Sequence, residues 1–229
     1  MFTIFTSVYF ESTHRYFYVE NQKTSLDNPA ILPDYAIVDS QFVENAPSYL
    51  KACSAIDAYC QAIESYWAKK ATFESRAYAL KAIRLCRDFM VEAVNTNQPY
   101  ANEQMARAAH YAGQAINISR TTAAHALSYK ITSLYGIPHG HAVALSMIGL
   151  FELNTAGTTL YDELYQAIGI SRQDFRSYFQ KLMAQIRLKT DLLELGITNI
   201  DEIISSVNTE RLNNNPKSLS YPDLKLIFR

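Results

Sequence analysis

Pro47-Ser-Tyr-Leu-Lys-Ala-Cys53-Ser-Ala-Ile-Asp57-Ala-Tyr-Cys60-Gln61-Ala-Ile-Glu64-Ser-Tyr-Trp67 opens a run, residues 48–98, that contains neither Gly nor Pro. Within it Ile56, Cys60, Ile63 and Trp67 recur at three- and four-residue steps, one apolar stripe of a helix. Ala77, Leu80, Ile83 and Leu85 predict a second helix, with Arg84, Arg87 and Asp88 outside. Residues 114–135 and 170–195 also lack both residues. The chain's 7 Gly and 7 Pro in 229 residues are about half the usual share of each. Turn-rich β architectures need those residues often, so this distribution points to helices. Further helices are expected at 101–118, 121–133, 141–153, 158–168, 171–185 and 199–207. The fold class is mainly α.

The first fifty residues differ. Phe2 to Phe10 and Tyr16 to Val19 are β-branched and aromatic, and Tyr35 to Asp39 is a short apolar run after Pro33. These predict short strands, too few to be stable as an independent sheet. They read as the edge of something larger. Asn213-Asn-Asn-Pro216 reads as an ordinary loop.

Charge and composition exclude several classes. Twenty-one Lys and Arg against 22 Asp and Glu give a net charge of −1 and no basic face for nucleic acid. No apolar run reaches the ~18 residues of a membrane span; Ala142 to Phe151 is broken by Ser146 and stopped by Glu152. The apolar start has no preceding Lys or Arg and no small-residue cleavage site, unlike a signal peptide. Cys53, Cys60 and Cys86 are odd in number and sit among helix formers, which predicts buried thiols in a reducing cytoplasm.

Asp57, Gln61 and Glu64 stand at i, i+4 and i+7, on one face of the first helix. A solvated polar stripe is one reading. The apolar residues around most of that helix favour another, in which these groups are buried and need partners. Candidates are His125, in a helix of small apolar residues, and His139, between a Pro and a Gly on a helix–helix turn. Two imidazoles and a carboxylate suit Zn²⁺ or Fe²⁺, although core histidines satisfied by hydrogen bonds are the plainer alternative. Arg120 and Lys130 bracket the His125 helix, either as solvated charges or as holders of an anionic substrate group.

Asp57-Ala-Tyr-Cys-Gln61-Ala-Ile-Glu64, His125-Ala-Leu and Gly136-Ile-Pro-His139-Gly-His-Ala142, in that order, resemble the iron-containing (group III) alcohol dehydrogenases. The resemblance runs from about Glu11 to the C-terminus. Within the family, Thr122-Ala-Ala-His125-Ala-Leu-Ser-Tyr-Lys130 and Gly140-His141-Ala-Val-Ala144 are most similar to the phosphonoacetaldehyde reductase branch.

The resemblance implies an all-helical metal domain over 47–229, of the iron-containing alcohol dehydrogenase and dehydroquinate synthase-like fold. It makes 1–46 a remnant of an α/β nucleotide-binding domain. It places Asp57, His125 and His139 on three of four metal-ligand positions, with Gln61 where the family has a fourth His. An amide oxygen is a weaker ligand than imidazole. Glu11-Ser-Thr13 resembles the tail of the segment between domains and Lys23-Thr-Ser-Leu26 the strand ending near the nucleotide, which makes Thr13 and Lys23 the implied cofactor contacts. The family's Gly-rich pyrophosphate loop has no counterpart, so NAD(P)H binding is expected only with a further N-terminal domain.

The implied chemistry is reduction of a small anionic aldehyde, phosphonoacetaldehyde to 2-hydroxyethylphosphonate. A Lewis-acidic Fe²⁺ or Zn²⁺ would polarise the carbonyl, Arg120 and Lys130 would hold the phosphonate, and His141 would relay the proton. A homodimer is the expected assembly. The competing reading is a catalytically silent helical domain that at most binds metal.

Overall fold

The helix α1 (Ser48–Trp67) is buried at every position from Lys51 to Trp67. A helix apolar around its circumference is stable only when other elements surround it. In the computed structural model, α1 packs against α2 (Phe73–Thr96), α3 (Pro99–Ser119) and α5 (His139–Thr155), and α5 also packs on α4 (Ala123–Tyr135). Residues 14–19, 22–28, 30, 34, 35, 37–207 and 209–228 are described by the structure. Among them, no helix is long and apolar enough to cross a membrane.

Local chemistry sets the helix ends. Thr72 caps α2 in a reciprocal box with Ser75, and Asn97 ends it in the left-handed conformation. Pro99 occupies the first turn of α3, where its missing N–H costs nothing. Gly136, at φ 66°, terminates α4, and Pro138 then leads into α5 with His139 as its first residue. That turn places His139 beside the His125 helix. Smaller helices complete the body: α6 (Asp162–Ile168), α7 (Phe175–Gln185), α8 (Ile200–Ser205), α9 (Thr209–Asn213) and α10 (Tyr221–Ile227). Phe151 of α5 stacks on Phe175 of α7 and meets Trp67 of α1 edge-on, with ring centroids 5.7 Å apart in the Trp67 pair.

The expected helices agree with α3 to α8 to within a few residues, except that α6 and α7 start later than expected, at Asp162 and Phe175. At the N-terminal end, β1 (His14–Val19) pairs antiparallel with β2 (Gln22–Asp27). The strand expected over Phe2 to Phe10 lies outside the described residues. The strand expected over Tyr35 to Asp39 does not form among the described residues: they carry no strand, and Tyr35 and Ile37 are each 90% exposed. β-rich composition alone gives that run no partner to pair with. The Asn213 to Pro216 loop is more than a connector. Asn214 Nδ2 donates to the carbonyls of Ser119 and Thr121, and buried Asn215 exchanges amide hydrogen bonds with Asn154.

Candidate metal centre

Asp57 on α1, His125 on α4 and His139 at the head of α5 converge. Each offers one ligand atom, and these atoms lie within 4.8 Å of one another. The His125 and His139 rings meet edge to face at 5.3 Å, and His125 Nε2 lies 3.3 Å from Asp57 Oδ1. Asp57 and His125 are both 3% exposed.

Glu64, one further turn along α1 from Gln61, is fully buried. It pairs with His125 Nδ1 and accepts hydrogen bonds from Thr122 Oγ1 at 2.5 Å and from the Ala124 N–H at 2.8 Å. These bonds offset the several kcal/mol that an unpartnered buried carboxylate would cost. Burial alone would lower the pKa of His125; the carboxylates of Glu64 and Asp57 outweigh it and raise it. Ser128 Oγ lies 3.2 Å from His139 Nδ1, and the Tyr129 ring stacks on His139.

Gln61 Nε2 donates to Asp57 Oδ2 at 3.0 Å, the contact its i+4 position allows. Its other amide atom, Oε1, is buried and has no hydrogen-bond partner among the described residues. A buried acceptor left unsatisfied costs about 1–3 kcal/mol. One carboxylate, two imidazoles and an orphaned amide oxygen fit a divalent ion of the Zn²⁺ or Fe²⁺ type. Two donors each ~2.1 Å from one ion are at most ~4.2 Å apart, so small side-chain adjustments bring the observed group around one ion.

The other predicted residues lie elsewhere. His141, 1% exposed, does not belong to the convergent group. Its Nε2 donates to the Lys189 carbonyl at 2.7 Å, leaving Nδ1 to accept from the Tyr49 hydroxyl at 3.1 Å. Burial lowers its pKa against that carbonyl bond. Lys130 forms an ion pair with Glu202 at 3.4 Å, with both side chains partly exposed. Arg120 follows the last residue of α3 at φ 63° and is half-buried. Lys23 lies in β2 opposite Tyr18, and Thr13 lies outside the described residues. The sequence offers His125 as a candidate partner for the buried face that carries Glu64, and the structure pairs the two; it gives no role to Thr122, the Ala124 N–H, Ser128 or Tyr129. The i, i+7 relation to Asp57 on a helix apolar around most of its circumference is the signal for Glu64.

A central buried α1, and a carboxylate–imidazole group where α1, α4 and α5 meet, make a helical fold with a candidate site for a divalent ion. Residues 51–229 match the Fe-containing alcohol dehydrogenase family, C-terminal, and the chain belongs to the iron-containing alcohol dehydrogenase family. It is 31% identical over 137 residues to phosphonoacetaldehyde reductase of Streptomyces viridochromogenes, covering 59% of this chain and 34% of that protein. It is 26% identical over 230 residues to NADPH-dependent butanol dehydrogenase of Clostridium saccharobutylicum, covering 92% and 59%. The fold superimposes on sulfoacetaldehyde reductase of Bifidobacterium kashiwanohense, solved in complex with NAD⁺, with a TM-score of 0.89 and 25% identity over 95% of this chain and 60% of that one. The chain thus spans less than two thirds of each of these relatives.

Proposed function

We propose that the chain is the metal-holding part of an alcohol dehydrogenase that works as an aldehyde reductase, with Asp57, His125 and His139 as ligands and Gln61 as a weak fourth. The convergence of those three donors, Asp57 and His125 buried and His139 half-buried, carries this reading. A divalent ion held there would supply Lewis-acid polarisation of the substrate oxygen. Asp57 supplies negative charge and α1 a rigid base; His125 and His139 complete the cage from two helices joined by a short turn.

A small anionic aldehyde, phosphonoacetaldehyde first, is the proposed substrate. Two of the relatives act, by name, on two-carbon aldehydes bearing a strong acid group. Lys130 and Arg120 remain the proposed anion holders. The Lys130–Glu202 pair is partly exposed and so worth little, which lets Lys130 exchange Glu202 for a substrate anion. We read His141 as a neutral brace between Tyr49 and Lys189, since both ring nitrogens are spent on those contacts. The nicotinamide cofactor would be held by a nucleotide-binding domain of which residues 1–46 form the edge, with Thr13 and Lys23 as its contacts. The three free thiols, all buried, suit a reducing cytoplasm.

The test is Zn²⁺ or Fe²⁺ binding by the chain, measured by competition with a chromogenic chelator. Stoichiometric binding that Asp57→Asn and His139→Ala abolish supports the reading. No binding by the wild-type chain overturns the ligand set; the silent-domain alternative, which allows metal binding, is separated by NAD(P)H binding, which it excludes.

A further inference from the structure

We propose that Glu64 and Ser128, neither of them a ligand, are positioning residues that fix which nitrogen His125 and His139 present to the ion, an inference that rests on the metal reading above. Each holds the Nδ1 of one ring, which leaves Nε2 as that ring's lone-pair donor.

For His125 the geometry is over-determined. Trp67 Nε1 donates to Thr122 Oγ1 at 3.0 Å, which leaves the Thr122 hydroxyl proton to go to Glu64 Oε1. The Ala124 N–H donates to the same oxygen. Oε1 therefore has two donors assigned to it, and Oε2 is the oxygen that meets His125 Nδ1. Both ring nitrogens face carboxylates, Nδ1 the closer Glu64 and Nε2 Asp57 Oδ1 at 3.3 Å; with an ion on the Asp57 side, the one proton of the neutral ring would stay on Nδ1 against Glu64 and leave Nε2 for the ion. For His139 the same logic runs through a hydroxyl. Ser128 Oγ donates to the His125 carbonyl at 2.8 Å, so toward His139 Nδ1 it presents a lone pair and accepts the ring N–H. Ser128 is itself fully buried, with no water to compete for the bond. Outer hydrogen bonds of this kind orient imidazole ligands and raise their basicity.

Glu64→Gln is the discriminating variant. Its amide has one acceptor, and Thr122 and Ala124 both require it at the Oε1 position. The NH₂ group then faces His125 Nδ1 as a donor, which moves the ring proton to Nε2 and blocks the ligand lone pair. Zn²⁺ affinity should fall roughly 10–100-fold in Glu64→Gln, and by a similar order in Ser128→Ala, with Ser128→Thr restoring it. A direct readout accompanies affinity: imidazole ¹H–¹⁵N correlation spectra of the Zn²⁺-loaded wild-type chain should show the proton on Nδ1 and the metal on Nε2 of both rings. A purely structural role for either residue would lower unfolding temperature in chelator without altering the ring assignment or the affinity of the folded protein. Unchanged affinity in both variants, or Nδ1 ligation in the wild type, overturns the proposal while the metal reading stands. If Glu64→Gln does not fold, Ser128→Ala and the wild-type spectrum still decide. If the wild-type chain binds no Zn²⁺, the metal reading falls first and this inference with it.

Discussion

A Cβ on Gly140 would lie 2.6 Å from the Cβ of Asp57 and 2.0 Å from the carbonyl oxygen of Cys53. The first turn of α5 therefore rests directly on α1, one residue after His139 and against the helix face that carries Asp57.

Gly140→Ala should force α5 off α1. Overpacking of this kind typically costs 1–3 kcal/mol. It should also separate His139 from Asp57 and weaken Zn²⁺ binding. Gly149→Ala supplies the contrast, since its Cβ would strike the Ile227 backbone of α10 at 2.4 Å. Both variants should unfold at lower denaturant, and only Gly140→Ala should lose metal affinity in a chelator competition.

Gln61→His should tighten metal binding, because imidazole nitrogen outcompetes an amide oxygen for Zn²⁺ or Fe²⁺. It also removes a buried acceptor that has no partner among the described residues. Equal or weaker binding in a competition titration would place residue 61 outside the ligand set and leave its bond to Asp57 as its role.

Alkali should destabilise the metal-free protein through its buried thiols. Burial pushes Cys53 up to about 12 and holds Cys60 and Cys86 well above the usual thiol range. An unfolded cysteine ionises near pH 8.5. A raised folded pKa contributes stability that is complete below the unfolded value and is lost as pH climbs toward the folded one. The thiol contribution to stability, followed by urea midpoints, should be constant to about pH 8 and then fall, by up to ~1.4 kcal/mol per pH unit for each thiol, on top of a loss that begins near pH 6.5 as the raised His125 gives up its proton. No fall between about pH 8.5 and 10 would show that these thiols ionise alike in both states.

Asn215→Ala should destabilise by about 1–3 kcal/mol, since it strands the buried Asn154 amide. The double variant with Asn154→Ala should cost less than the sum of the two single variants, a coupling that a double-mutant cycle of urea titrations measures.

The helices were legible because long runs without Gly or Pro coincide with three- and four-residue apolar spacing from Ile56 to Trp67. The short α9 and α10 were not, being too brief for periodicity; α10 is held by the Ser220–Asp223 capping box. Asp57, His125 and His139 could be picked out as candidates from residue type and buried context, together with the family resemblance. His125 could also be offered as a partner for the buried face of Glu64, but its other two partners could not, because one is the Thr122 hydroxyl and the other a backbone N–H on a distant helix. The pairing of Lys130 with Glu202, and of His141 with Lys189, likewise depends on tertiary placement that no local pattern encodes.

Asn214 and Asn215 have a consequence for the order of assembly. A chain leaving the ribosome N-terminus first can close α1, α2 and α3 on one another early, since these follow in sequence and pack together. The carbonyls of Ser119 and Thr121, at the junction from which the His125 helix departs, receive their amide donor only once residue 214 has been made. Until then those two carbonyls lack this donor, so the corner from which the His125 helix departs is completed from the far end of the sequence.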